Sequence, residues 1–197
     1  MPTQNLYPNA AGDLTQFPTV EPSSINHFQA VDETSADDDT SYVQTNQEEL
    51  SVQKILIKEN STTTHSSTTV PSDSSYANYT KEFTTKPSDS SAFTVTDINN
   101  LQIGVNFTGP DNPTDQTDLF NIEDWPHNSG DTINSVTVTA RWKNTVGGAH
   151  AQRLRLTQIF ATVDYTAAPG PTTGPLKIQA GAKVKITSGK LKIGELE

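Results

Sequence analysis

The sequence predicts an all-β chain, an antiparallel β-sandwich or jelly roll with a short C-terminal β-strand tail. Three observations carry this expectation. Val136, Val138, Ala140 and Trp142 alternate with Ser135, Thr137, Thr139 and Arg141, the period-two pattern of a half-buried strand. Short β-branched stretches recur between clusters of Gly, Pro, Asn, Asp and Ser. No amphipathic run is long enough to form the crossover helix of a parallel sheet, which argues against α/β folds. Composition agrees: 29 Thr and 17 Ser stand among 197 residues of which 32% are hydrophobic, so one domain with a single thin core is expected.

In chain order, strands are expected over 52–57, 76–84 and 101–107, the last with Leu101, Ile103, Val105 and Phe107 on one face. The alternation at 136–142 follows. Ile159, Ala161, Val163 and Tyr165 form a further set, preceded by Leu154 and Leu156 at the opposite parity. One extra residue around Thr157 and Gln158 explains that slip as a β-bulge. Tyr42 and Val43 begin another strand. Turns are read at 71–75, 86–91 and 109–115. Helix is confined to single turns, with Thr96 or Asp97 capping Ile98 to Leu101, and Glu48 to Leu50 closing another. Val136, Val138, Trp142, Ile103, Val105, Ile159 and Val163 are expected in the core.

Composition changes after Tyr165. Residues 166–175 hold Pro169, Pro171 and Pro175 with Gly170 and Gly174, which reads as a linker between a body at 1–165 and a tail at 176–197. The tail repeats an apolar-Lys-Ile unit in LKIQAG (176–181), VKITSG (184–189) and LKIG (191–194). Leu176, Ile178, Val184, Ile186, Leu191 and Ile193 are too regularly placed for a frayed basic end and read as three short strands that pair with a neighbour. Five lysines and two glutamates give 166–197 a charge of +3, whereas 8 basic and 21 acidic residues give 1–165 a charge of −13. A basic, strand-forming appendage on an acidic body suits docking by strand addition and charge complementarity.

The net charge of −10 repels nucleic acid and anionic membranes, so neither is an expected partner. The absence of cysteine removes disulfides, thiolate nucleophiles and Cys-ligated metals. No apolar run approaches the roughly 18 residues of a membrane span, and residues 1–13 lack the basic and apolar segments of a secretion signal. Catalysis finds little support. His27, His65, His127 and His150 fall in no metal-binding spacing, no G-x-S-x-G elbow occurs, and no phosphate loop follows Gly147-Gly148. The chain is expected not to be an enzyme and to need no cofactor, with calcium the one ion it could use.

That ion would sit in VDETSADDDTSYV (31–43), where Asp32, Glu33, Asp37, Asp38 and Asp39 fall within eight residues. Asp32, Asp37, Asp38 and Asp39 could ligate calcium with backbone carbonyls, although the Gly and the Glu of an EF-hand loop are missing. The competing reading is a solvated turn in which Asp39 or Thr40 holds backbone N–H groups. A second candidate is Trp125, in the loop NIEDWPHNSGD. An exposed indole beside Asp124 and His127 could stack on a sugar, whereas the competing reading has Trp125 closing the end of the core.

The blocks YPNAAGD (7–13), VDETSADDDTSYV (31–43), TVTDINNLQIGV (94–105), DTINSVTVTARWKN (131–144) and RLTQIFATVDY (155–165) together resemble virion proteins of tailed bacteriophages with a jelly-roll fold. The resemblance covers most of 7–165 and excludes the tail. It implies a non-enzymatic structural protein of a virion, a capsid-decoration or tail component assembled in the host cytoplasm. Its partners would be other virion subunits, in a homo-oligomeric arrangement. The alternative is a carbohydrate-binding module or receptor-binding head that meets a host-surface glycan through Trp125, Asp124 and His127. Strand order within the sandwich is left open by both readings.

Overall fold

The computed structural model describes residues 1–46, 52–59, 62–65, 74–108, 116–146 and 152–169. Its strands are β1 (Thr3–Leu6), β2 (Pro8–Thr15), β3 (Thr19–Glu21), β4 (Tyr42–Gln44), β5 (Val52–Glu59), β6 (Thr62–His65), β7 (Ala77–Phe83), β8 (Gln102–Thr108), β9 (Gln116–Ile122), β10 (Thr132–Val146) and β11 (Gln152–Thr166). A helix, α1 (Val95–Asn99), and a single 3-10 turn at Phe28–Ala30 accompany them. The strands form two antiparallel sheets packed as a sandwich. One sheet runs β3-β4-β11-β10-β7, with β1 also beside β11, and the other runs β2-β9-β8-β5-β6.

The β10–β11 ribbon is the spine. Val136, Val138, Ala140 and Trp142 of β10 are fully buried, as are Ile159, Ala161 and Val163 of β11. They share one core with Ile103, Val105 and Phe107 of β8 and Ile55 and Ile57 of β5. Each large apolar side chain removed from water contributes about 1.5–3 kcal/mol, so the alternation concentrates a scarce apolar content where it stabilises most. The expected bulge is present: Arg141 pairs with Gln158 and Trp142 with Leu156, which leaves Thr157 without a partner on β10. The Thr157 hydroxyl donates instead to the Ser41 carbonyl at 3.0 Å, tying the ribbon to the segment that enters β4.

Among the described strands β7 pairs with β10 alone. Its Ala77, Tyr79, Lys81 and Phe83 stand opposite Trp142, Ala140, Val138 and Val136, which puts all four on the core side. Tyr79 stacks on Trp142 at 4.3 Å, and the Lys81 ammonium lies 5.8 Å from the centre of the Phe83 ring.

The helix begins earlier than expected. Thr94, not Thr96 or Asp97, is the cap: its Oγ1 accepts from the Asp97 N–H at 3.2 Å while the Asp97 carboxylate accepts from the Thr94 N–H at 2.8 Å. This reciprocal pair satisfies two backbone donors at once and fixes the first turn at Val95. The turn at 86–91 forms as read, closed by Lys86 N–H on the Ser91 carbonyl and Ser90 N–H on the Lys86 carbonyl, both at 2.8 Å. The turn at 109–115 and the one at Glu48 to Leu50 lie outside the described residues, as does most of 71–75.

Strand β9 had no counterpart in the sequence reading, because it is buried on both faces from Gln116 to Phe120 and so shows no alternation. Its Leu119 packs over Gly104, where an added Cβ would stand 2.0 Å from the Asp118 carbonyl oxygen. The YPNAAGD block builds the cover. Ala11 pairs with Phe120 and Thr15 with Asp118, so β2 carries two more residues than β9 over this stretch and bulges. Gly12 presses on the Leu119 backbone, the Asp13 N–H donates to Gln102 Oε1 at 3.1 Å, and the Asp13 carboxylate pairs with Lys58.

Candidate functional site

The acidic segment 31–41 straps the outer side of β11. Val31 accepts from the Ile159 N–H at 3.0 Å, and the Glu33 carbonyl accepts from Gln158 Nε2 at 2.6 Å. Asp37 then closes a turn by accepting from both the Ser41 N–H (3.0 Å) and the Ser41 hydroxyl (2.8 Å). Asp37, rather than Asp39 or Thr40, is therefore the residue that holds backbone here. Glu33 Oε1 lies 2.9 Å from the same hydroxyl. Burial, with the nearby Asp37 carboxylate, pushes the Glu33 carboxyl above its ordinary value.

The next two aspartates turn toward cations of the ribbon. Asp38 takes a left-handed backbone (φ 56°) and forms a two-point pair with Arg141, at 2.7 Å to Nε and 2.9 Å to Nη2. Asp39 accepts from Lys143 Nζ at 2.7 Å and from Arg155 Nη1 at 3.0 Å, with the Tyr76 hydroxyl at 3.2 Å. The hydrogen bond from Lys143 holds Asp39 below the usual carboxylate range, while burial and then Asp39 push the Tyr76 hydroxyl up. Lys143 also sits 4.3 Å over the Tyr76 ring, and Arg155 4.4 Å over Tyr42.

Of the four carboxylates expected to hold calcium, Asp37 is thus on Ser41, Asp38 on Arg141 and Asp39 on Lys143 and Arg155. Asp32 lies elsewhere, within the field of Glu123, and its carboxyl is pushed up by burial and by that neighbour. The strap does not bring the four to one point. Among the described residues no group of three or more His, Asp or Glu side chains is placed to hold a metal ion.

The loop after β9 differs from the sugar-binding expectation. Trp125 is 6% exposed, not an open platform. Its N–H donates to Asn99 Oδ1 at 2.7 Å and its indole Nε1 to Asp131 Oδ2 at 3.3 Å, and these two bonds turn the ring into the end of the core. Tyr165 meets it edge-on at 4.9 Å, and His127 lies 5.0 Å away. Asp124 and His127 are exposed, with His127 stacked on Tyr165. Asp131 has a second task, because its Oδ1 accepts from the Ala168 N–H at 2.8 Å. The Tyr165 N–H donates to the Pro2 carbonyl at 3.2 Å, so β11 leaves the body beside the first residues of the chain.

A third site escaped the sequence. Asp118 is fully buried and accepts from the Gln16 N–H (2.6 Å), the Phe17 N–H (2.9 Å) and His27 Nδ1 (2.7 Å). With Gln16 Oε1 accepting from the Thr117 N–H at 2.8 Å, it staples the segment between β2 and β4 to β9. Its partners lie about a hundred positions away in sequence, and no local pattern marks them.

The tail positions Leu176, Ile178, Val184, Ile186, Leu191 and Ile193 lie outside the described residues, which end at Pro169. Thr166 still pairs with Thr132, so β11 continues one residue past the boundary read from composition. Among the described residues no helix is long and apolar enough to cross a membrane. Compared with known proteins, the chain matches no family model, no curated protein and no solved structure.

Proposed function

We propose that the chain is a non-enzymatic structural protein of a phage virion, a capsid-decoration or tail component, whose C-terminal segment fixes it to neighbouring subunits. One observation carries the reading: charge and pattern change together at one point in the chain. Residues 1–165 hold −13 and furnish a sandwich core from Leu6 to Tyr165, whereas 166–197 hold +3 and repeat apolar-Lys-Ile three times. Such a repeat left in water exposes both a row of apolar side chains and unpaired backbone groups. Pairing with a strand edge on a neighbour buries Leu176, Ile178, Val184, Ile186, Leu191 and Ile193, and the lysines meet carboxylates at the rim. Repeated copies on a particle assembled in the host cytoplasm belong to the same reading.

Deleting 170–197 tests it while keeping the bond between Asp131 and Ala168. The truncated chain is expected to retain the circular dichroism spectrum and melting temperature of the full chain and to be missing from purified particles. Full occupancy of the truncated chain would overturn the anchor. A glycan-binding head is the second reading, favoured by the exposed His127 stacked on Tyr165 beside the exposed Asp124. A glycan array probed with the full chain and with His127→Ala decides it.

A further inference from the structure

We propose that the Trp125 end of the sandwich, with Glu123, Asp124 and the loop 126–130, faces the subunit that accepts the C-terminal segment, and that the β10–β11 hairpin end points away from it. The inference rests on the anchoring role argued above and adds an orientation to it. The occupant of this end is an acceptor subunit that offers an unpaired strand edge flanked by carboxylates.

The direction in which the chain leaves the body is fixed by three contacts. Thr132 pairs with Thr166, Asp131 holds the Ala168 N–H at 2.8 Å, and a Cβ at Gly130 would touch Ala168 at 3.4 Å. Asp131 is itself 8% exposed and bonded to Trp125, so the pin is part of the packed end and not a surface contact. Six residues, 170–175, separate Pro169 from Leu176, the first apolar residue of the repeat. Even fully extended they span at most about 25 Å. The β11 strand runs 15 residues from this end to Gln152. At 3.3 Å per residue its far end stands roughly 45 Å away, beyond the reach of the linker.

Charge follows the same axis. Asp131 and Asp164 lie at the near ends of β10 and β11, with the exposed Glu123 and Asp124 close by in sequence and fold. Arg141, Lys143, Arg153 and Arg155 lie toward the far ends, where Asp38 and Asp39 pair with three of them. An acidic body end set against an acidic acceptor would repel it. Lys177 comes eight residues after Pro169, so cationic charge enters the joint where both surfaces need it.

The chain has no cysteine, which allows a single thiol to report on each end. Ser129→Cys and Arg153→Cys, both at exposed positions, are labelled with a maleimide in the purified full-length chain and again in phage particles that carry it. Both thiols should react in the purified chain. In particles, labelling of Ser129→Cys is expected to fall several-fold while Arg153→Cys is unchanged. Inserting a flexible Gly/Ser stretch between Pro175 and Leu176 should restore labelling of Ser129→Cys without loss of incorporation. Equal labelling of the two positions in particles, or protection of Arg153→Cys alone, overturns the orientation and leaves the anchor standing. If neither variant nor the unmodified chain copurifies with particles, the anchoring role falls and the orientation with it.

Discussion

Asp118 and Asp39 each gather three partners, yet the Asp118 side chain is 1% exposed and the Asp39 side chain 61%. Asp118 collects two backbone N–H groups and one imidazole, all from the segment it pins. Asp39 collects an ammonium, a guanidinium and a phenol from β10, β11 and the approach to β7. The difference teaches where a carboxylate does most for a β-sandwich. In the interior the cost of leaving any one donor unmet is large, so the staple acts as a unit. On the surface water competes with every partner, and long cationic side chains lose freedom when held, so the strap orders the outer face more than it stabilises it.

Removing each carboxylate sharpens that contrast. Asp118→Ala leaves the Gln16 and Phe17 donors and His27 facing a void, with an expected loss of about 3–5 kcal/mol in denaturant unfolding. A loss no larger than that of a surface substitution would place Asp118 among the dispensable groups. Asp39→Ala takes the exposed carboxylate away from Lys143, Arg155 and Tyr76 and should cost about 1 kcal/mol or less. That smaller loss should shrink further in about 1 M salt, where the Debye length falls to about 3 Å. The Asp118→Ala loss should persist there.

The smallest effect is one of sign. Glu33 and Asp39 belong to the same strap but titrate in opposite directions. Burial raises Glu33 above 4.5, so the folded state holds its proton more tightly than the unfolded chain does. Its contribution is present below about pH 4.5 and is lost as pH rises through the raised value. Asp39 is held below 3.8, so its contribution is present above that value and is lost as pH falls. Glu33→Gln should therefore leave the melting temperature unchanged near pH 4 and raise it at about pH 7. An unchanged midpoint at both values would mean that Ser41 satisfies the ionised Glu33 fully.

What the sequence made legible follows from which contacts are local. The β10–β11 ribbon could be read because one of its faces is buried and the other wet, so Val136 to Trp142 alternate. The bulge at Thr157 could be read because the parity of Leu154 and Leu156 disagrees with that of Ile159. Strand β9 could not, because Leu119 is covered by the β2 bulge on one face and Phe120 by the core on the other. A carboxylate at Asp118 in the middle of that run further hides it. Arg141 on the wet face of β10 was visible in the alternation, but the aspartate that meets it comes from a loop about a hundred residues earlier. Trp125 allowed two readings from sequence, and it is the one that closes the end of the core that the structure has. Pro126 and Gly130 mark its loop correctly, and of the two acceptors that hold it inward Asp131 lies in that same loop while Asn99 stands 26 positions earlier, where no local pattern marks it.

Lys81 gives the sandwich a colloidal property. It is the one cation on the core side of β7, set between Tyr79 and Phe83 and opposite the fully buried Val138. A strand edge with hydrocarbon at that position would invite a second copy to zip on, its backbone about 4.8 Å away and its own apolar face continuing the first. An ammonium there would have to give up its water for a partner's side chains, with no carboxylate brought along to meet it. Among the described strands, the β7 edge is therefore a poor template for a second copy of this sheet.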